Sequence, residues 1–346
     1  MRNKTLIYKA IPTGMPEPGK HLAVEDRGFD ADAAPPAGGL TVEILYASFD
    51  PYLRGKMRDP AVKSYSPAFE LDAPVTNGVV ARVLKSDSAD HGPGDLVTAH
   101  LPIAEYAAVP GEAVSGVRRI ENPGGLDLGM FLGPLGMPGL TAYAGLQRIG
   151  RPKEGETIFV SSAAGAVGQL VGQLAKLQGL RVVGSVGSDA KLDFITRELG
   201  FDGGFNYKKE SPLDALKRLA PDGIDIYFEN VGGEHLEAAL ANMNTGGRIP
   251  VCGMISGYNQ PPEQRYGVKG LFQLVPKQIT MQGFLVGQPE FGPAYYAEHK
   301  EKVRGWLSDG SLRAKLHVTE GIDNAAEGFV GMLRGDNFGK AVLKIK

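Results

Sequence analysis

Residues 157–176 read TIFVSSAAGAVGQLVGQLAK. An apolar strand at 157–161 runs into Ala163-x-Gly165-x-x-Gly168. A helix is expected to open at Gly165 and to run to about Leu177. This is the strand–turn–helix fingerprint of dinucleotide binding, with Ala163 at the first glycine position. The turn has to be tight enough to aim a helix N-terminus at a pyrophosphate. The main-chain amides of Ala164, Gly165, Ala166, Val167 and Gly168 are the groups that would hold it. Bare backbone at Gly165 and Gly168 lets the phosphates approach and lets the helix lie close on the strand, and Gly172, one turn on, supports the same packing.

Outward from this turn, apolar strands alternate with amphipathic helices from about Gly139 to Gly287. Strands are expected at 181–186 (RVVGSV), 204–207, 224–228 (IDIYF), 247–252 (GRIPVC) and 279–284. Helices are expected at 189–199, 213–219 and 234–243. Alternation at this spacing predicts an α/β fold with a doubly wound parallel sheet covered on both faces. The first 130 residues differ: short, partly alternating strands at 6–10, 41–49, 78–84, 96–100 and 105–109, punctuated by Pro and Gly. His91-Gly92-Pro93-Gly94-Asp95 is a turn between two of them. This part reads as a small irregular β-barrel. The last 40 residues are mixed, with a strand near 315–319, a helix near 324–333 and a strand at 341–345.

The end of the second strand selects the cofactor. A site for NAD offers Asp or Glu to the ribose 2′-hydroxyl about 20 residues beyond the fingerprint. Here Val186-Gly187-Ser188-Asp189-Ala190-Lys191 puts Gly187 and Ser188 in that neighbourhood. Lys191, one helical turn in, is placed to neutralise a 2′-phosphate, and Asp189 stands where a helix N-cap is expected. The reading favours NADP(H) over NAD(H).

Composition removes other classes. The 346 residues carry 37 basic and 39 acidic side chains, a net charge of -2, so no nucleic-acid or anionic-membrane partner is indicated. The single cysteine, Cys252, excludes an internal disulfide and any multi-cysteine zinc site, and it reads as a small core residue at a strand end. Histidines 21, 91, 100, 235, 299 and 317 show no ligand-like spacing, so no metal is expected. Gly335-Asp-Asn-Phe-Gly-Lys340 is one residue short of a P-loop and lacks its Ser/Thr. The N-terminal stretch has no apolar core of a secretory signal, and no run approaches a membrane span; a soluble cytoplasmic protein is expected.

Several blocks resemble the zinc-independent medium-chain dehydrogenase/reductases. The nearest branch is that of leukotriene B4 12-hydroxydehydrogenase, the prostaglandin reductases, plant alkenal double-bond reductases and curcumin-reductase-like enzymes. They are Ser48-Phe-Asp-Pro-Tyr-Leu-Arg-Gly55, Leu135-Gly-Met-Pro-Gly-Leu-Thr-Ala-Tyr143, the fingerprint, Gly187-Ser-Asp-Ala-Lys191, Asn206-Tyr-Lys208, Phe228-Glu-Asn-Val-Gly-Gly233, Cys252-Gly-Met-Ile-Ser-Gly-Tyr-Asn259, Met281-Gln-Gly-Phe284 and Gly335–Lys340. The resemblance implies a GroES-like catalytic domain (1–133, completed by 309–346) around an NADP-binding Rossmann domain (134–308), with the cofactor in the cleft between them.

By the same resemblance Lys191 and Tyr207 would meet the 2′-phosphate, and Met137 and Thr141 would sit by the nicotinamide. Asn230 and the 252–258 loop (Cys252, Gly253, Ile255, Ser256, Tyr258) would line the ribose and diphosphate. Phe284, Leu285 and Val286 would reach the carboxamide through backbone groups, and Asn337 would close over the cofactor. Tyr52 and Tyr258 would face the substrate. Glu229 stands where relatives often have Asp, and Gly257 where they often carry a bulkier residue.

The activity implied is reduction of the C=C bond of α,β-unsaturated aldehydes and ketones by NADPH. Hydride would go to the β-carbon, with Tyr258 as first choice of donor to the carbonyl oxygen. Quinone reduction is the second enzyme reading, and a non-catalytic NADPH-binding structural or sensor protein is a third. A homodimer is expected by family habit, with strand 279–286 as a suitable edge.

Overall fold

The computed structural model describes residues 1–346, in two units. The first comprises Met1–Leu132, Leu316–Asn337 and Ala341–Lys346. Strands β1 (Lys4–Tyr8) and β2 (Leu22–Asp26) pair as an antiparallel ribbon. Strand β3 (Leu40–Ser48) leads into the single turn α1 (Leu53–Lys56). It pairs antiparallel with both β4 (Thr76–Ser86) and β6 (Tyr106–Val109). Strand β5 (Leu96–Pro102) joins β4 to the short β7 (Arg118–Arg119). Val79, Ala81 and Val83 of β4 enter one core with Val42 and Ile44 of β3, while Arg82 between them is exposed: the period-2 pattern of a half-buried strand. Register shifts in the β3–β4 pair supply the irregularity expected of this barrel.

The second unit, Gly133–Lys315 with Phe338–Lys340, holds the fingerprint. Helix α2 (Met137–Gly145) precedes β8 (Thr157–Val160), α3 (Gly168–Lys176), β9 (Arg181–Val186) and α4 (Asp189–Asp193), which continues as a wider turn through Glu198. Then come β10 (Gly203–Asn206), α5 (Pro212–Leu219), β11 (Ile224–Phe228), α6 (Gly233–Asn242), β12 (Met243–Val251), β13 (Thr280–Gly283) and α7 (Gly292–Asp309). The sheet order is β10-β9-β8-β11-β12-β13, parallel throughout. Ile158 and Val160 of β8 pack on one face, against α3, and Phe159 packs on the other, against α5 and α6. Every second side chain is therefore buried in a different core, and the strand is apolar without a break. The order reverses between β8 and β11, so the loops after these two strands flank the crevice where such sheets take ligands.

Two expectations need correction. Helix α3 begins at Gly168 rather than Gly165, because residues 162–167 are spent on the turn itself. Helices α2 and α7 were not anticipated, nor was β2. The chain then returns to the first unit through β14 (Leu316–Glu320), α8 (Ala325–Arg334) and β15 (Lys340–Lys344), and β14 and β15 extend the sheet at β3. The first unit resumes at Leu316, and Phe338–Lys340 group with the second unit. No helix is long and apolar enough to cross a membrane.

Candidate functional site

The turn after β8 is built by crowding. Ser162 takes a left-handed conformation (φ 51°), and its carbonyl accepts the Gly165 amide at 2.9 Å. A Cβ at Gly168 would lie 2.2 Å from that same carbonyl oxygen and 2.9 Å from the Ala163 Cα. Only a bare residue fits there. Gly172 has a different partner from the one expected: its missing Cβ is replaced by the Phe201 ring, 1.9 Å from where it would stand. On the outer side, the Ala164 carbonyl accepts the Gly339 amide at 2.9 Å, and Gly165 and Gly339 form an isolated parallel bridge.

The ribose end lies at the C-terminal ends of β9 and β10. Ser188, not Asp189, is the N-cap of α4; its hydroxyl accepts the Lys191 amide at 3.3 Å. Asp189 is tied to Asn206 (2.9 Å) and Lys209, which hold its carboxyl below the usual range. The Tyr207 ring lies over Gly187, where a Cβ would meet its hydroxyl at 3.0 Å, and packs edge-on to His235 at 5.3 Å. Ser188, Lys191 and Tyr207 are thus brought together. The Lys191 ammonium lies 6.0 Å from the centre of the Phe338 ring.

A buried polar network joins the loops after β8 and β11. Glu229 is fully buried. Its Oε1 accepts the Tyr227 hydroxyl at 2.7 Å, the Val231 amide at 2.7 Å and the Gly232 amide at 2.8 Å. Its Oε2 has no partner. Burial raises the pKa of this carboxyl, and the hydrogen bonds offset part of the rise. The Asn230 amide donates to the Ser161 hydroxyl (2.9 Å) and its side chain to the Ser161 carbonyl (2.8 Å). The Glu229 carboxyl thus organises the 230–232 turn.

The 252–258 loop is laid along this turn. The amides of Cys252 and Gly253 donate to the Glu229 carbonyl, that of Ile255 to Asn230 and that of Ser256 to Val231. Burial, and next the nearby Glu229 charge, push the Cys252 thiol up to about 12, so it stays protonated. It sits one residue past β12, half-buried against the core. Tyr258 folds back across Gly253, where a Cβ would stand 2.9 Å from the phenol oxygen. That oxygen accepts the Met254 amide at 3.4 Å, a bond that does not use the phenol proton.

Thr141 bonds back to the Met137 carbonyl at 2.8 Å on α2. The Phe284 ring fills the space left by Gly145 and packs tilted against Phe291 at 5.1 Å. Leu285 is exposed, and the Val286 carbonyl accepts the Gly292 amide at 2.8 Å. Asn337 and Tyr52 belong to the first unit. There the Asn77 side chain donates to the Ser48 carbonyl (2.7 Å) and to Asp50 (2.9 Å), which turns its oxygen toward the Tyr52 hydroxyl (2.7 Å). The Tyr52 proton is therefore given to Asn77. Burial and then the Asp50 charge raise its pKa, so Tyr52 is placed as a held hydroxyl rather than a proton donor.

Four residues that sequence reading passed over pack beside this turn. Gln169 and Gln173, both buried, face residues 313–315, and each pairs its amide with one backbone N–H and carbonyl there. Lys315 and Phe338 lie beyond them. Two glutamines four apart on an otherwise apolar helix were the available signal. The Gly168 cradle and the Ser188–Lys191–Tyr207 group fit a phosphorylated dinucleotide. No group of three or more His, Cys, Asp or Glu side chains is arranged to hold a metal ion.

Comparisons with known proteins show what the chain is similar to. A family profile described as "Zinc-binding dehydrogenase" matches residues 166–299, and one described as "N-terminal domain of oxidoreductase" matches residues 4–117. An NADP-dependent oxidoreductase of Cochliobolus heterostrophus is 54% identical over 99% of this chain and 98% of its own. A 2-alkenal reductase (NADP(+)-dependent) of Nicotiana tabacum is 43% identical over 99% of this chain and 97% of its own. The crystal structure of CurA in complex with NADPH from Vibrio vulnificus matches with a TM-score of 0.91 at 35% identity, covering 99% of both chains.

Proposed function

Since the chain belongs to the zinc-independent medium-chain dehydrogenase/reductases, in their NADP-dependent alkenal reductase branch, we propose that it reduces the C=C bond of α,β-unsaturated aldehydes and ketones. NADPH, when bound, supplies the hydride for the β-carbon. An enal or enone is already polarised, so the protein has to hold the cofactor, orient the substrate and meet the charge that develops on the carbonyl oxygen. The Tyr258 phenol supports that last role, because its loop lays the ring back across Gly253 and its oxygen accepts the Met254 amide. This is the observation that carries the reading. A neutral tyrosine, with an ordinary pKa near ~10, donates a hydrogen bond across physiological pH. The same phenol, or water, returns a proton to the α-carbon.

The test is NADPH oxidation against a panel of enals, enones and quinones. Turnover of enals and enones ahead of quinones is expected; quinone turnover alone would replace this reading with the quinone reductase one. Within that assay Tyr258→Phe lowers kcat for enones by about a hundredfold, the loss of one donor to a developing oxyanion, and leaves NADPH binding nearly intact. Unchanged kcat in this variant removes Tyr258 from the reaction.

A further inference from the structure

We propose that Lys315 is a second cation for the adenosine 2′-phosphate, acting with Lys191, and that the Phe338 ring sets the two ammonium groups on one anion. The proposal deepens the NADP(H) assignment and rests on the placement of the 2′-phosphate at Lys191. No sequence motif singles out Lys315; the arrangement does. Its ammonium stands 4.3 Å from the centre of the Phe338 ring and 5.1 Å from that of Phe194. Phe194 and Phe338 pack edge to face at 5.1 Å. Phe194 follows Lys191 by three residues, one turn along the same helical stretch, so both lie on one face of it. The Lys191 ammonium approaches the same Phe338 ring. Two positive charges thus share one aromatic plate.

Lys315 is exposed, and no carboxylate pairs with it; its ammonium meets only the two rings. A phosphate dianion held at Lys191 answers the Lys315 charge as well, with charge-assisted bonds to both. The pyrophosphate is assigned elsewhere, to the amides after β8, whereas Lys191 stands in α4, which follows β9, and the Lys315 ammonium lies over Phe194 one turn further on.

The backbone of Lys315 is fixed relative to the fingerprint. Its amide donates to the Gln169 side chain (2.9 Å), which returns a bond to its carbonyl (3.2 Å), and Gln169 directly follows Gly168. The Lys340 amide donates to the same carbonyl at 2.9 Å. Gly339 makes the crossing possible: at φ 77° it takes a left-handed turn, and a Cβ there would lie 2.0 Å from the Lys315 carbonyl oxygen. The lysine stem therefore starts from a set point beside the cradle.

The experiment is calorimetric titration of the full-length protein and of Lys315→Gln with 2′,5′-ADP and 5′-AMP, with NADPH and NADH binding followed by fluorescence. Lys315→Gln is expected to weaken 2′,5′-ADP and NADPH by about tenfold, the loss of one charged contact, with 5′-AMP, NADH and the melting temperature unchanged. Lys315→Arg restores most of the loss. Full 2′,5′-ADP affinity in Lys315→Gln overturns the proposal, and so do equal losses for phosphorylated and unphosphorylated ligands. If the unsubstituted protein itself binds 2′,5′-ADP no better than 5′-AMP, the 2′-phosphate assignment at Lys191 falls as well.

Discussion

Gly168→Ala weakens NADPH binding by about a hundredfold, while Gly305→Ala on α7 leaves it untouched. The difference is steric. The added methyl at 168 meets backbone on two sides, the Ser162 carbonyl at 2.2 Å and the Ala163 Cα at 2.9 Å, so no rotamer relieves it and the turn must move. Moving the turn misaligns the amides that face the pyrophosphate. Loss of one or two charged hydrogen bonds, about 1.5–3 kcal/mol each, accounts for two decades in the dissociation constant. Overpacking adds about 1–3 kcal/mol of destabilisation. At Gly305, mid-helix, a methyl meets nothing within 4 Å, and removing a helical glycine adds about 0.5–1 kcal/mol of stability. Fluorescence titration and denaturant unfolding of both variants check this. Ordinary NADPH affinity in Gly168→Ala would show that the turn does not hold the coenzyme.

The second large effect is on acid stability. His235 is 5% exposed, stacked parallel to Phe159 (6.4 Å) and Phe205 (6.3 Å), and its Nε2 has no partner. Burial lowers its pKa from 6.5 to about 4. The folded protein refuses a proton that the unfolded chain accepts below pH 6.5. This contribution is therefore fully present above 6.5 and is lost as the pH falls toward 4, to the extent of roughly 3 kcal/mol. His299, also lowered to about 4 by burial, acts in the same sense. Glu229 acts in the opposite one: its raised pKa favours the fold at low pH, and that contribution is lost as the pH rises through the folded value. His235→Phe isolates one group. It keeps the stack, removes the orphan nitrogen, and should cut the stability difference between pH 7 and pH 4.5 by about 2–3 kcal/mol in urea unfolding. An undiminished difference would mean that His235 does not titrate in this range.

The parallel sheet was readable because β8, β9 and β11 are short, mainly apolar runs bounded by turns, with only Ser185 in β9 and Asp225 in β11 breaking the apolar interior. Helix α7 was not, because along its 18 residues only Gly292, His299 and Val303 are buried. So thin a stripe, interrupted by charges, does not announce a helix. Helix α2 hid for the opposite reason: Pro138, Gly139 and Gly145 in an apolar stretch read as a loop. In β2 only Leu22 is fully buried, too little for a pattern. The candidate cofactor residues Gly165, Gly168, Ser188 and Lys191 could be proposed from the sequence because their spacing is local. Lys315 and Gln169 were not, since their pairing spans 146 residues and leaves no mark on either stretch alone.

The bridge between Gly165 and Gly339 has a consequence for how the molecule comes into being. Residue 339 follows the turn it covers by 174 residues (339 − 165), so the turn is synthesised well before its cover. A nascent chain accordingly carries an open version of that turn until the later segment has been made and can draw across it.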